Sequence, residues 1–188
     1  MLGSHNSFSY LKPTKWWMRL LAPWSKCQDK TIEEQYNDGV RYFDIRIAFK
    51  KDGSMRIVHN LIEYPTDELY NALRTFKNRS DVYLRIGLDM RKKPKEIKDA
   101  AKLISWFYDF LNYVMMNTEM TIDKAIVFWD WRYIINRGLK VTEWHASVCA
   151  KWYQYIDGLK FWAWEHNTEI LTVNTLKDNE EVLLIDFV

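Results

Sequence analysis

The stretch Gly39-Val40-Arg41-Tyr42-Phe43-Asp44-Ile45-Arg46-Ile47-Ala48-Phe49 decides the fold of this chain. Every second side chain from position 43 to position 49 is apolar, whereas the positions between them carry Asp44 and Arg46. Because successive side chains of a β-strand point to opposite faces, this stretch is predicted to be a strand with one apolar and one charged face. The acid and the guanidinium can neutralise each other beside solvent, or together hold an anionic ligand.

Further segments repeat this alternation, and helical patterns separate most of them. The predicted strands are residues 55–59, 82–89, 125–132, 169–176 and 182–188. The predicted helices are a short one that begins at the capping box of Thr31 and Glu34 and ends at Gly39, one that begins at Pro65, and two longer ones over 95–116 and 142–164. Alternating strands and helices predict an α/β fold with a mostly parallel sheet.

Polar side chains stand late in these strands. They are Asp44, Arg46, His59, Asp89, Asp130, Arg132, Asn174 and Asp186. In a parallel barrel the carboxyl ends of the strands line the site, and burying so many polar groups without a use would be costly. The pattern therefore favours a barrel, irregular because about seven strands are predicted. An open doubly wound sheet is the alternative, although no glycine-rich phosphate loop supports it.

Composition narrows the class of protein. The 188 residues include 27 basic and 25 acidic side chains, and this near balance argues against a nucleic-acid binder. The length fits one domain over residues 1–188, and we expect a monomer. Cys27 and Cys149 have no metal-ligand spacing and form no disulfide framework. We see no signal peptide and no apolar run that spans a bilayer, so the cytoplasm and release from the cell are both open as locations.

An aromatic segment near the start of the chain has two interpretations. Residues 15–24 combine tryptophans and leucines with Lys15 and Arg19, up to a stop at Pro23. Aromatic rings of this kind suit places where one edge is dry and the other wet, such as a membrane interface. The segment is predicted either to pack against the core or to form a short loop or helix that contacts a membrane. The contacting residues would be Trp16, Trp17 and Trp24.

The order of short motifs in the first third of the chain resembles the catalytic X region of phosphatidylinositol-specific phospholipase C. The motifs are Gly3-Ser4-His5-Asn6-Ser7-Phe8-Ser9-Tyr10, Ile32-Glu33-Glu34-Gln35, Gly39-Val40-Arg41-Tyr42-Phe43-Asp44-Ile45-Arg46 and Val58-His59. Leu88-Asp89 and Ile185-Asp186-Phe187 fall where that family has functional strand ends. The resemblance implies a distorted TIM-type (β/α) barrel. We expect it to be displaced or trimmed at its start, where two residues precede the first motif, and to lack the last helix.

The resemblance also implies individual roles. His5 matches the general base that takes the proton from the inositol 2-hydroxyl, and His59 matches the general acid that protonates the departing diacylglycerol oxygen. Asp186 matches the carboxylate that orients the base, and Asp44 is expected to position the phosphate or a histidine. Arg46 matches the arginine that bacterial members carry where eukaryotic members have a calcium ligand. These matches imply a metal-independent lyase that forms diacylglycerol and a cyclic inositol phosphate at a phospholipid membrane surface.

Two positions depart from the bacterial pattern. Asn6 matches the eukaryotic residue, and Asp89 stands where bacterial members have lysine and eukaryotic members have a calcium-ligating glutamate. Both are predicted to contact substrate, and calcium held by Asp44, Asn6 and Asp89 is the alternative to a site without a cofactor. Contacts with the polyol are predicted from strand position alone for Asp130, Arg132 and Asn174.

Two other functions stay open at this point. One is a non-catalytic module that binds a lipid headgroup in the same pocket, and the other is a phosphodiesterase that acts on another glycerophosphodiester. The glycerophosphodiester phosphodiesterases show a His-Arg motif and a Glu-x-Asp metal pair, whereas this chain has Asp44-Ile45-Arg46 in place of the latter. The presence of both His5 and His59 favours the lyase.

Overall fold

A computed structural model of the chain describes residues 1–98, 100–118, 125–128, 139–144, 160, 163, 166–167 and 181–188. Its strands are β1 (Leu2–Ser4), β2 (Val40–Phe49), β3 (Met55–His59), β4 (Ile62–Tyr64), β5 (Tyr83–Leu88), β6 (Ala125–Phe128), β7 (Lys140–Trp144) and β8 (Glu181–Ile185). Its α-helices are α1 (Ile32–Asn37), α2 (Asp67–Thr75) and α3 (Ala100–Thr118). Two 3₁₀ segments cover Trp16–Trp24 and Met90–Lys92. Of the described helices, none has the length and apolar character needed to cross a bilayer.

The described strands form one sheet around β2. Six of them run parallel in the order β7-β8-β1-β2-β5-β6. The antiparallel hairpin of β3 and β4 continues from the end of β2. β1 and β3 share one edge of β2, because β1 pairs with its first residues and β3 with its last three, while β5 lies along the opposite edge.

The sheet curls, as a contact between non-adjacent strands demonstrates. Tyr42 of β2 packs against Val182 and Leu184 of β8, although β1 lies between these two strands. Gly3 of β1 makes this contact possible, since a Cβ there would lie 3.0 Å from Cγ1 of Val182. The predicted α/β fold with a distorted, barrel-type sheet is therefore confirmed.

Both faces of β2 are buried, in layers of different character. The apolar face, including Phe43, Ile45 and Ile47, belongs to the main core together with side chains of α2 and α3 such as Leu73 and Phe107. The face with Tyr42, Asp44 and Arg46 lines the inside of the curl, where Asp44 is completely buried. The charged face therefore lies inside the curl and is not a solvated surface.

Most predicted elements occur, with small shifts of their ends. The capping box forms as expected: Thr31 Oγ1 accepts a hydrogen bond from Glu34 N, and Glu34 Oε2 accepts one from Thr31 N at 2.7 Å. Gly39, with φ +96°, follows α1 in the left-handed conformation that glycine adopts readily. The 3₁₀ helix over the aromatic segment includes Pro23 and ends at Trp24 rather than stopping at the proline.

One predicted helix boundary was wrong, and the strand β4 was not predicted. The helix predicted over 142–164 cannot begin at 142, because Lys140–Trp144 is the parallel strand β7 beside β8. The strand β4 was missed, because three residues are too few for a pattern and β4 forms by pairing with β3. The predicted strand over 169–176, and the part of the strand over 125–132 beyond Phe128, lie outside the described residues.

Candidate active site

The first and the last described strands bring together a histidine and an aspartate. His5 directly follows β1 and Asp186 directly follows β8, and because these strands are parallel neighbours their carboxyl ends meet at one edge. His5 Nδ1 lies 2.7 Å from Asp186 Oδ1, and both side chains are almost completely buried. The carboxylate therefore accepts the Nδ1 proton, which leaves Nε2 as the basic nitrogen.

Gln28 fixes the two strand ends to each other. Its Nε2 donates to the backbone oxygens of His5 (3.0 Å) and Ile185 (3.1 Å), and its Oε1 accepts from the backbone nitrogen of Val188 (3.1 Å). Gln28 is completely buried in the loop before α1. Sequence reasoning missed this residue, because a lone glutamine in a loop carries no motif.

Two donors surround the basic nitrogen of His5. Asn6 Nδ2 lies 2.7 Å from His5 Nε2, and Arg46 Nη2 lies 3.3 Å from it. Asn6 has φ 46°, and its backbone nitrogen also donates to Asp44 Oδ2 at 3.2 Å. In the free protein the lone pair of Nε2 is thus occupied by the Asn6 amide, and a hydroxyl that approaches this nitrogen takes the position of that amide.

His59 ends β3, next to His5. Its Nδ1 donates to the backbone oxygen of Ser25 at 2.6 Å, and its ring lies edge to face with the ring of His5 at 5.6 Å between centroids. Burial and the charge of Arg46 lower the pKa of His59 to about 4, so the imidazole is neutral near pH 7 in the absence of a ligand. A negatively charged group next to His59 would offset Arg46 and favour protonation of His59.

A network of ion pairs around the buried Asp44 adjoins the two histidines. Burial alone would raise the pKa of Asp44, but Arg46 and Arg85 outweigh it and hold the value at about 2. Arg46 Nε lies 3.4 Å from Asp44 Oδ2, and Arg85 Nε lies 3.6 Å from Oδ1. Arg85 Nη2 also pairs with Glu143 of β7 at 2.8 Å. The carboxylate of Asp44 therefore stays ionised at neutral pH.

Sequence reasoning did not single out Arg85 or Glu143. Arg85 pairs in register with Asp44 and Glu143 with Leu184, and both face the inside of the curl. The signal was present in the alternation of residues 82–89, where Arg85 shares a face with Asp89. The register that places Arg85 beside Asp44 is a tertiary property.

A small cavity lies beside Arg46 and His59, and neither His5 nor Asp186 is among the residues that line it. It is lined by Asn6, Asp44, Arg46 and His59, together with apolar residues of β2 and β3 and the side chains of Phe8, Ser9 and Tyr64. Its volume is about 10 Å³, roughly the room for one water molecule. A phosphate group therefore needs the surrounding side chains to move apart before it can enter.

One group of side chains has the donor types of a metal site. Donor atoms of His5, Cys27 and Asp186 lie within 4.8 Å of one another, and all three residues are buried. Two of these donors already bond to each other, since His5 Nδ1 carries the proton that Asp186 accepts. Burial raises the pKa of the Cys27 thiol, which keeps it protonated and a poor ligand near neutral pH.

The structure does not gather all predicted site residues at the cavity. Asp89 follows β5, but its two carboxylate oxygens accept hydrogen bonds from Arg91 Nε and Nη2, each at 2.9 Å. The polar residues Asp130, Arg132 and Asn174 lie outside the described part of the chain. Three other residues, on the 3₁₀ helix, have exposed rings: Trp16 (74%), Trp17 (41%) and Trp24 (45%).

Comparisons with known proteins find likenesses to phospholipases C. No family model matches the chain. The chain is 33% identical over 61 residues to the variant-surface-glycoprotein phospholipase C of Trypanosoma cruzi, a match that covers 31% of this chain and 16% of that protein. It is 42% identical over 69 residues to a PI-PLC X-box domain-containing protein of Dictyostelium discoideum, covering 31% of this chain and 9% of that protein. The chain thus spans only a small part of the curated relatives that it matches.

Solved structures extend the likeness over the whole chain. The phosphatidylinositol-specific phospholipase C of Listeria monocytogenes superposes with a TM-score of 0.62 at 15% identity, covering 100% of this chain and 87% of that one. A Staphylococcus aureus phosphatidylinositol-specific phospholipase C gives a TM-score of 0.59 at 17% identity, with 100% and 85% covered. The resemblance inferred from the sequence is therefore confirmed, and the chain has the fold of the bacterial phosphatidylinositol-specific phospholipases C.

Proposed function

We propose that this protein is a phosphoric diester lyase that cleaves a phosphatidylinositol-type phospholipid into diacylglycerol and a cyclic inositol phosphate. The observation that carries the proposal is the constellation of His5 paired with Asp186, His59 beside it, and Arg46 adjacent to His5 Nε2. Two neighbouring imidazoles and a guanidinium next to one of them supply an acid, a base and a positive charge for one phosphodiester. The names of the similar proteins support the substrate class.

His5 would act as the general base. Its Nε2 accepts the proton of the inositol 2-hydroxyl as that oxygen attacks phosphorus, and Asp186 stabilises the imidazolium that forms. Arg46 would stabilise the negative charge that accumulates on the phosphoryl oxygens. The bond between phosphorus and the diacylglycerol oxygen then breaks, and the cyclic phosphodiester remains on the inositol.

His59 would act as the general acid. Its Nδ1 proton is engaged by the Ser25 carbonyl, so the proton for the departing oxygen comes from Nε2. The low pKa of His59 in the free protein means that Nε2 must gain this proton when the anionic substrate binds. The phosphate charge supplies the driving force, because it offsets the repulsion from Arg46.

We propose that the reaction runs without a bound cation. Arg46 and Arg85 already balance the charge of Asp44, and Arg91 balances that of Asp89. A Ca²⁺ ion needs six to eight oxygen ligands and would have to displace a guanidinium from each carboxylate. The predicted calcium alternative is therefore less consistent with the packing around Asp44.

The exposed tryptophans would bind the protein to the membrane that contains its substrate. The 3₁₀ helix is anchored by the buried side chain of Met18, while Trp16, Trp17, Leu20 and Trp24 are exposed. Lys15 and Arg19 add positive charge to the same helix. An exposed aromatic surface with nearby cations suits insertion into the interface of an anionic phospholipid membrane.

Phosphorus NMR of phosphatidylinositol vesicles tests the proposal directly. We expect a cyclic inositol phosphate signal with the wild-type protein in the presence of chelator, and loss of that signal with His5→Ala. The matched control is His166→Ala, which changes a histidine to which the proposed mechanism gives no role and should keep turnover. A signal that requires calcium would refute the metal-independent mechanism. Binding of vesicles without any turnover would favour the non-catalytic headgroup module, and turnover of another glycerophosphodiester alone would change the substrate.

A further inference from the structure

A buried phenol that the proposed mechanism does not use lines the same cavity as Arg46 and His59. Tyr64 ends β4, and its side chain is 2% exposed. Its hydroxyl has no hydrogen-bond partner within the described part of the chain. A buried donor without an acceptor destabilises a folded protein, so its position beside a reactive cavity calls for an explanation.

The β3–β4 hairpin presents Tyr64 and His59 to the same space. Tyr64 lies directly opposite Ile57, and His59 lies directly opposite Ile62. Residues that are opposite each other in an antiparallel pair share a face, and so do Ile57 and His59, which are two apart on one strand. The phenol and the imidazole therefore project from one face of one rigid hairpin.

The surroundings of Tyr64 favour a donor and not a phenolate. Burial raises the pKa of Tyr64 well above its ordinary value, with a smaller effect from the nearby Cys27 thiol. Cys27 Sγ in turn lies 3.7 Å from Nδ1 of His59, the proposed general acid. The thiol of Cys27 therefore neighbours both Tyr64 and His59. The hydroxyl thus keeps its proton at any pH at which the enzyme would work.

We propose that Tyr64 contacts the substrate by donating a hydrogen bond from its hydroxyl to a phosphoryl oxygen of the bound phosphodiester, alongside Arg46. Arg46 and Tyr64 both line the cavity. One phosphate there would accept hydrogen bonds from a charged donor, the guanidinium, and from a neutral donor, the phenol. The bond strengthens as negative charge builds up on that oxygen in the pentavalent transition state. This inference rests on the proposed phosphodiester cleavage, since it deepens the chemistry of the same site.

Tyr64→Phe removes the hydroxyl and keeps the ring. We expect kcat on phosphatidylinositol to fall about 100-fold with a smaller change in KM, because the lost bond is strongest in the transition state. The midpoint of thermal unfolding should stay the same or rise, because a buried hydroxyl without a partner is removed. A loss of activity without a loss of stability indicates that the hydroxyl forms its hydrogen bond only with the bound ligand.

Tyr42→Phe is the matched control. Tyr42 is also fully buried, and its hydroxyl also lacks a partner in the described part of the chain, but it does not line the cavity. This variant should show the same thermal behaviour as Tyr64→Phe with unchanged kcat.

Three outcomes overturn the inference. The first is an unchanged kcat in Tyr64→Phe, and the second is a loss of activity that is matched by a lower unfolding midpoint, which would mean a structural role. If the wild-type protein has no turnover, the proposed function fails, and binding of a non-hydrolysable phosphonate analogue of phosphatidylinositol becomes the readout. Weaker binding in Tyr64→Phe than in Tyr42→Phe would then support the contact, and equal binding or no binding would overturn it.

Discussion

The burial of His59 predicts a loss of stability in mild acid that can be measured without any substrate. The folded protein holds the pKa of His59 at about 4, against an ordinary value of 6.5 in the unfolded chain. Between these values the unfolded chain binds a proton that the folded protein does not, so the free energy of unfolding decreases as the pH falls. The full difference corresponds to about 3 kcal/mol, of which about 2 kcal/mol is lost between pH 7 and pH 5. Asp44 does not contribute above pH 5, because its pKa changes from 3.8 to about 2.

Urea denaturation at pH 7, 6 and 5 measures this loss, and His59→Asn provides the comparison. The asparagine amide can still donate to the Ser25 carbonyl, but it does not titrate. All other ionisable groups are common to both proteins, so the difference between their pH dependences isolates His59. The variant should lose about 2 kcal/mol less than the wild type between pH 7 and pH 5. Equal losses in the two proteins would mean that water reaches His59 in the folded state and that the argument from burial is wrong.

Three further predictions concern the charges and the surface. Asp186→Asn should lower kcat about 10⁴-fold, because an amide that donates to His5 Nδ1 selects the wrong tautomer, and unchanged turnover in the phosphorus NMR assay would remove Asp186 from the mechanism. Arg85→Met should lower the free energy of unfolding by about 2–3 kcal/mol in urea at pH 7, since it leaves the buried carboxylate of Asp44 with one of its two guanidinium partners, and a loss below about 1 kcal/mol would contradict this. Replacing the three exposed tryptophans with alanine should reduce binding to anionic vesicles about tenfold while activity on a soluble short-chain substrate persists, and an equal loss of both would refute a specific role in membrane binding. These tryptophans are Trp16, Trp17 and Trp24.

The features that could be predicted from the sequence are those that a single segment specifies. The alternation in β2 extends over residues 43–49 and fixes both faces, and the capping box of α1 depends on two side chains three residues apart. The end of β3 at His59 was also predicted, because its alternation begins after a turn and stops at that residue. In each case the interactions that form the element are local.

The features that could not be predicted depend on register and on contacts between distant segments. Val141 to Trp144 form a strand because β8 lies beside them, although the aromatic residues that follow suggested a helix. Arg85 reaches Asp44 only in the observed pairing of β5 with β2. Gln28 and Tyr64 acquire their positions from the packing of loops and hairpins, for which a single sequence offers no periodic signal.

The bond between His5 and Asp186 joins residues that are 181 positions apart in the chain. Asp186 therefore has to be synthesised before His5 can meet its carboxylate, and the pair cannot form while only the early motifs have been made. Contacts of such long separation also form late and slowly in refolding. The time at which the proposed turnover appears during refolding would then report when β8 docks against β1.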